Sequence, residues 1–272
     1  MNVASTAVVL GAALVVGGSP ASAQLGYRNL DDERPVFTED AYVLERFGFE
    51  LAAPYRFEAR AMASDAHVVA PELSYGAIPN LQVAVEAPLA ALNADAEDEW
   101  GLAGLELSGV YNFNTESGGL PALTIRAEVQ APVGSLGGDV WRGAIRGIVS
   151  HSFGRARVHL NAARGIGSES GLSPLDPAPR WAYGLAGDYT LLRSSLLLVG
   201  ETVVRRSVSG APVEVNAGAG FRWQWTPTLV LDAGLSRRLA DTGPDFGMTV
   251  GLTHTFGIRG LLPGRRAGGG AP

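Results

Sequence analysis

Residues 121–134, "PALTIRAEVQAPVG", alternate almost without error. Leu123, Ile125, Ala127 and Val129 share one side; Thr124, Arg126, Glu128 and Gln130 share the other. Successive side chains of an extended chain point to opposite faces, so the stretch is a strand with one greasy and one charged face. The same alternation, punctuated by turn residues, predicts about twelve strands, near 43–57, 67–75, 80–89, 102–114, 121–132, 141–153, 155–166, 180–191, 195–206, 212–225, 228–239 and 246–256. Most are longer than the five or six residues usual in soluble sheets and match the roughly 9–11 that a tilted strand needs to cross a bilayer.

The connections alternate too. After even-numbered strands they are short, as in "GAIPN" (76–80), "GR" (154–155) and "TPT" (226–228); after odd-numbered strands several are long and polar, as in "NADAEDEWG" (93–101), "GSESGLSPLDPAPR" (167–180) and "ADTGPDFG" (240–247). Membrane barrels pair short periplasmic turns with longer extracellular loops. Aromatics mark both ends of the strands. Tyr111, Phe113, Phe153, Trp223, Trp225 and Phe256 lie near the last residues of even-numbered strands, whereas Trp141 and Trp181 open them. These aromatics are read as two girdles bounding an aliphatic band. The expected fold is therefore all-β: a transmembrane antiparallel up-and-down barrel of about twelve strands, greasy face to lipid. A soluble barrel or sandwich with the greasy face inside is the alternative. Closure is required in hydrocarbon, where an open sheet edge would strand unpaired backbone groups.

The polar parity of each strand then names the lumen. Its expected lining is Glu86, Glu106, Arg126, Glu128, Arg142, Arg146, Arg157, His159, Asn161, Glu201, Arg205, Glu214, Asn216, Arg222, Asp232 and Arg238, with Glu50, Glu72, Asp188, Gln82, Asn112, Thr124 and Gln130 beside them. Such a mixed-charge bore either pairs across strands and locks the wall, or carries a transverse field over a water-filled pore. Ala84, Gly218 and Gly220 are also inward, which leaves room on one wall.

The ends of the chain differ from the middle. Residues 1–23 have the form of an export signal, with the apolar run "AVVLGAALVV" (7–16) and the small-x-small site "ASA" (21–23), although no basic residue precedes the run. Residues 24–40, "QLGYRNLDDERPVFTED", are polar and do not alternate; they are expected inside the lumen or at its periplasmic mouth as a constriction. The barrel proper is expected over 41–256. The tail 257–272, rich in Gly, Pro and Arg, is expected to be disordered.

Composition adds exclusions. There is no cysteine, hence no disulfide scaffold or thiolate metal site, and the net charge of −6 gives no reason to expect a nucleic-acid partner. All 21 basic residues are arginine. No phosphate-binding loop, dinucleotide fingerprint or HExxH is present, and "GLSPL" (171–175) lacks the second glycine of a nucleophile elbow. "DAEDE" (95–99) has carboxylates that could hold Ca²⁺, but such a run is more often a solvated loop tip, and no metal is expected. No cofactor is expected. His151 and His254 do not form the centre of a lipid-modifying site on this pattern: His151 has inward-pointing serines as neighbours and His254 has no carboxylate nearby in sequence.

Several stretches resemble an outer-membrane family labelled "MetA-pathway of phenol degradation". They are "RPVFTEDA" before the first strand, "PELSYGAIPNLQVAVEAPL" (71–89), "GLAGLELSGVYNFN" (101–114), "LPALTIRAEVQAPVG" (120–134) and "VHLNAARGIG" (158–167). "GLAG" (101–104) lacks the Asp of that family's Gly-x-Gly-Asp turn. The resemblance implies a transporter of hydrophobic or aromatic compounds and carries over no catalytic residue. The last strand, "TVGLTHTF" (249–256), is similar to the signal read by barrel-assembly machinery, with His254 where an apolar residue is usual. The expected function is passive passage of small molecules, with outer-membrane lipid or lipopolysaccharide, the assembly machinery and small solutes as partners. A structural or adhesive barrel acting through its loops, and a lipid-modifying barrel enzyme, are the rivals.

Overall fold

The computed structural model describes residues 28–60, 65–93, 98–168, 170, 180–192, 195–208, 210, 212–240, 242–258 and 261. The export signal (1–23), the end of the tail (262–272) and most of the acidic run at 95–99 lie outside the described residues.

Sixteen strand segments build twelve staves. Four staves are each made of two segments: β1 (Gly48–Ala52) with β2 (Tyr55–Ala59), β3 (Asp65–Val69) with β4 (Glu72–Ile78), β5 (Leu81–Glu86) with β6 (Leu89–Asn93), and β7 (Asp98–Leu102) with β8 (Leu105–Asn114). The other eight are unbroken: β9 (Ala122–Ala131), β10 (Arg142–Phe153), β11 (Ala156–Gly167), β12 (Arg180–Leu191), β13 (Leu196–Ser207), β14 (Glu214–Thr226), β15 (Leu229–Arg238) and β16 (Phe246–Gly257). Every neighbouring pair is antiparallel, and β16 closes the cylinder on the first stave, pairing with β1 at one end and β2 at the other.

Three of the four interruptions share one cause, a proline, and the fourth falls at Gly104, whose φ of 118° leaves the ladder geometry. Ala53–Pro54, Ala70–Pro71 and Ala87–Pro88 sit side by side, followed by Ala103–Gly104. Proline has no N–H for the ladder and keeps the residue before it extended, so each stave bends where it occurs. The alanine N–H groups bridge the breaks: Ala70 donates to Pro54, Ala87 to Pro71 and Ala103 to Pro88, at 2.8–3.1 Å. A seam of kinks thus runs obliquely across the wall. Beyond it the fifth stave, β9, stops at Ala131–Pro132. The 132–141 connection covers the free edge of β7 there, with Leu136 donating to the Leu102 carbonyl at 3.0 Å.

Side-chain placement is inverted relative to a soluble core. Leu107, Leu160, Leu185 and Leu235 stand half or more exposed on the outer surface, whereas Arg222 and His159 are fully buried inside. Apolar side chains outside and ions inside suit a cylinder whose solvent is hydrocarbon.

Candidate functional site

What fills the bore is the chain's own N-terminal segment. Residues 28–47 run through the lumen and feed directly into β1, so the lumenal segment continues seven residues past the expected boundary at 40, and the first stave begins at Gly48 rather than near 43. A segment without ladder partners needs its backbone groups satisfied by side chains, and the inward polar residues do this.

Glu201 accepts from the Phe37 N–H (2.9 Å), the Thr38 N–H (2.9 Å) and the Thr38 hydroxyl (2.7 Å). Asn161 acts like a strand: its Oδ1 accepts from the Glu39 N–H and its Nδ2 donates to the Glu39 carbonyl, both at 2.9 Å. The Ala41 N–H donates to Ser150 Oγ, and the Ala41 carbonyl accepts from Asn112 and Thr124. Farther down, the Leu44 N–H donates to Gln82.

Charge does the rest. Arg157 holds Asp188 (2.6 Å), Asp40 (2.9 Å) and the carbonyl of Arg28. Arg222 reaches Asp31 at 2.8 Å and the Asn29 carbonyl, while Arg34 lies 3.5–3.6 Å from Asp31, Glu50 and Glu72. Arg146 holds Asp32 (2.7 Å) and Glu39; Arg126 joins Glu128 (2.9 Å), Glu106 (3.1 Å) and, more distantly, Glu39 and Asp32. The guanidinium groups of Arg146 and Arg205 both lie over the Phe37 ring, at 4.7 and 4.4 Å from its centroid. Buried ions persist only when paired and hydrogen-bonded, and here the partners come from the segment as much as from the wall.

The remaining expected lumen residues stand around this plug. Glu86 lies between Glu72 and Glu106 in one cross-strand row. Arg142 donates to Gln130, Arg205 to Asn216 (3.5 Å), and Glu214 lies 3.6 Å from Arg180. Arg238 reaches the Gly243 carbonyl and Asp245 at the end carrying the long connections. Asp232 faces Arg222 in register. The space expected at inward glycines is taken. A Cβ at Gly220 would meet Pro35 at 2.9 Å, and one at Gly234 would meet the Pro35 carbonyl at 2.0 Å. Those glycines seat the segment rather than widen a passage. Beside Phe37, Arg56 and Arg205 a cavity of about 90 Å³ remains, room for a few waters.

Apolar inward positions, absent from the parity list, form three patches. Leu197, Val199 and Ala186 receive Leu30 and Val36; Ile148 and Ala122 receive Ala41, with Tyr42 against them. The third lies on the long-loop side of the seam, where Ala66, Val68, Ala70, Ala90, Leu92 and Ala103 are capped by Leu136. Runs such as "LAAL" (89–92) are apolar on both faces, so alternation gives no signal there.

His159 bridges Ser150 Oγ (2.7 Å to Nδ1) and Asp188 (2.9 Å to Nε2). The residue types are those of a hydrolytic triad, but all three are buried and Ser150 Oγ is occupied by the Ala41 N–H, leaving no place for a scissile bond. This is a lock on the segment. His151 lies 3.1 Å from Glu116, and His254 contacts the Thr228 carbonyl at 3.0 Å; both tie strand ends to turns. Among the described residues no group of carboxylates and histidines is disposed to hold a metal.

The expected girdle residues Tyr111, Phe113, Trp141, Phe153, Trp181, Trp223 and Trp225 are exposed on the outer surface. Tyr111 meets Phe113 edge-on, Trp223 stacks on Trp225, and half-buried Phe256 stacks on Phe49.

No family model and no curated protein matches the chain. Solved structures do. A COG4313 outer membrane channel from Pseudomonas putida F1 superposes with a TM-score of 0.62 at 16% identity, covering 80% of this chain and 98% of that one. The KdgM porin gives 0.53 at 14% identity over 75% and 99%, and the NanC porin 0.53 at 9% over 76% and 98%. The fold is that of outer-membrane channel barrels.

Proposed function

We propose that the protein is an outer-membrane channel for small molecules, held closed by residues 28–47, and that passage requires this segment to yield. The observation that carries the reading is how the segment is bound. It is fixed mostly by hydrogen bonds and ion pairs to the wall, with only Leu30, Val36 and Ala41 set in small apolar patches, and its first covalent tie to the barrel comes at Gly48. Polar anchors of this kind can be exchanged for water one at a time, unlike a packed apolar core. The short turns are assigned to the periplasm and the long connections to the exterior, as in other membrane barrels.

The apolar inner patch under Leu136 supports a solute with an apolar or aromatic part, admitted from the exterior. Proteoliposome swelling tests this with sugars, linear carboxylates and monoaromatic acids, for the intact protein and for a variant lacking residues 24–40. Faster entry of aromatic acids than of sugars of similar size through the shortened protein is expected. Exclusion of every solute by the shortened protein would overturn the reading and favour a structural barrel.

A further inference from the structure

On the outer surface of a membrane barrel a charged side chain is costly at the bilayer midplane and tolerated at the interface. Outward positions of the described strands carry three arginines, Arg164, Arg206 and Arg237, and all three lie near the long-loop ends of their strands. Outward strand positions at the short-turn end carry none among the described residues. The outward arginines of the described strands are therefore gathered at one rim of the lipid-facing surface, on staves away from the outward Asp65 of β3.

Two of these arginines form an organised group. Arg164 on β11 and Arg206 on β13 flank Trp181 on β12 in direct register. With strands about 4.8 Å apart, their Cα atoms stand roughly 9–10 Å apart on either side of the indole. The Arg164 guanidinium lies over the Trp181 ring at 4.5 Å, and Trp181 stacks parallel on Tyr183, at 6.4 Å and 6°. Neither arginine has an ion-pair partner among the described residues. Both are exposed, in contrast to the paired arginines of the lumen.

From this we infer a binding site for a phosphorylated glycolipid of the outer leaflet, of the lipid A type. The two guanidinium groups would take the phosphate by charge-assisted, fork-shaped hydrogen bonds, the indole would carry the sugar face, and Tyr183 with Leu185 below would meet the acyl chains. The inference rests on the orientation given above, with long connections outward. It does not depend on whether the lumen conducts.

The test is native mass spectrometry of the full chain released from detergent, offered diphosphoryl lipid A, dephosphorylated lipid A, phosphatidylglycerol or inorganic phosphate. The wild type and a control, Arg155→Gln in a short turn, are expected to retain diphosphoryl lipid A. Arg164→Gln/Arg206→Gln should lose at least about tenfold in occupancy, and Trp181→Ala, which keeps both charges, less than that. Only species with folded, heat-modifiable gel mobility are scored. Equal retention by the double variant, equal retention of dephosphorylated lipid A or phosphatidylglycerol, or displacement of the lipid by inorganic phosphate would each overturn the site. Solute entry measured on the same double variant should be unchanged, so failure here is distinguishable from failure of the channel.

Discussion

Arg157 and Asp188 face each other in register across β11 and β12, with Nη2 and Oδ2 2.6 Å apart, and the same guanidinium reaches Asp40 of the lumenal segment at 2.9 Å. One arginine therefore joins two staves to the plug. Removing one member of a buried ionic group leaves the others uncompensated, which costs about 3–5 kcal/mol. Arg157→Ala is expected to lower the temperature at which the barrel loses its folded gel mobility and to raise baseline conductance in planar bilayers. Unchanged values of both would show that Asp40 is held by other means.

Glu201 separates anchoring from wall stability. Its carboxylate accepts three hydrogen bonds from Phe37 and Thr38. Glu201→Ala should free the segment, with about 1.5–3 kcal/mol lost for each charge-assisted bond not replaced by water. Glu201→Gln keeps one good acceptor and should lie between. Limited proteolysis within residues 28–40 reads the difference directly, with cleavage ordered Ala, then Gln, then wild type.

Gly234 makes a steric test. A methyl group there would stand 2.0 Å from the Pro35 carbonyl, a contact that only movement of the segment can relieve. Gly234→Ala is expected to leave barrel assembly intact while increasing conductance and proteolytic access to the segment. Gly109, whose added Cβ would meet nothing within 4 Å, is the matched control and should change neither.

Much of this fold was legible because period-two alternation with a polar lumen survives in β8 through β16, where one face is ionic and the other greasy. It failed where that contrast disappears. Val68, Ala90, Leu92 and Leu197 are apolar and inward, and nothing in the alternation distinguishes them from lipid-facing neighbours. The proline seam was hidden for another reason: alternation continues across Pro54, with Ala52 and Arg56 on the same inner face, so a bent stave reads as a straight one. The lack of alternation over residues 24–40 is what points that segment to the lumen. Its individual partners depend on long-range geometry, such as the 164 positions between Phe37 and Glu201.

Glu116, in a turn at the short-turn end, accepts from the Ser152 N–H (2.8 Å) and from Tyr42 (3.2 Å), and lies 3.1 Å from His151. Partial burial pushes its carboxyl upward, but the Ser152 hydrogen bond, Tyr42 and His151 together hold it below the usual carboxylate range. A carboxyl lower in the folded state stabilises above its unfolded value, near 4.3, and that contribution is lost as pH falls through the folded value. The grip on Tyr42 should therefore be complete at pH 7 and weaken below about pH 4. Comparing proteolysis near Tyr42 at pH 3.5 and 7, by an acid-tolerant and a neutral protease, should show an acid increase in the wild type. Glu116→Gln should flatten it.

The most direct test of the central claim, that residues 28–47 close the bore, is single-channel recording of the intact protein and of the variant lacking residues 24–40. The intact protein should be silent or open only in brief bursts, and the shortened one should show a stable conductance step. A shortened protein as silent as the intact one, or an intact protein that already conducts steadily at the same level, would contradict the account.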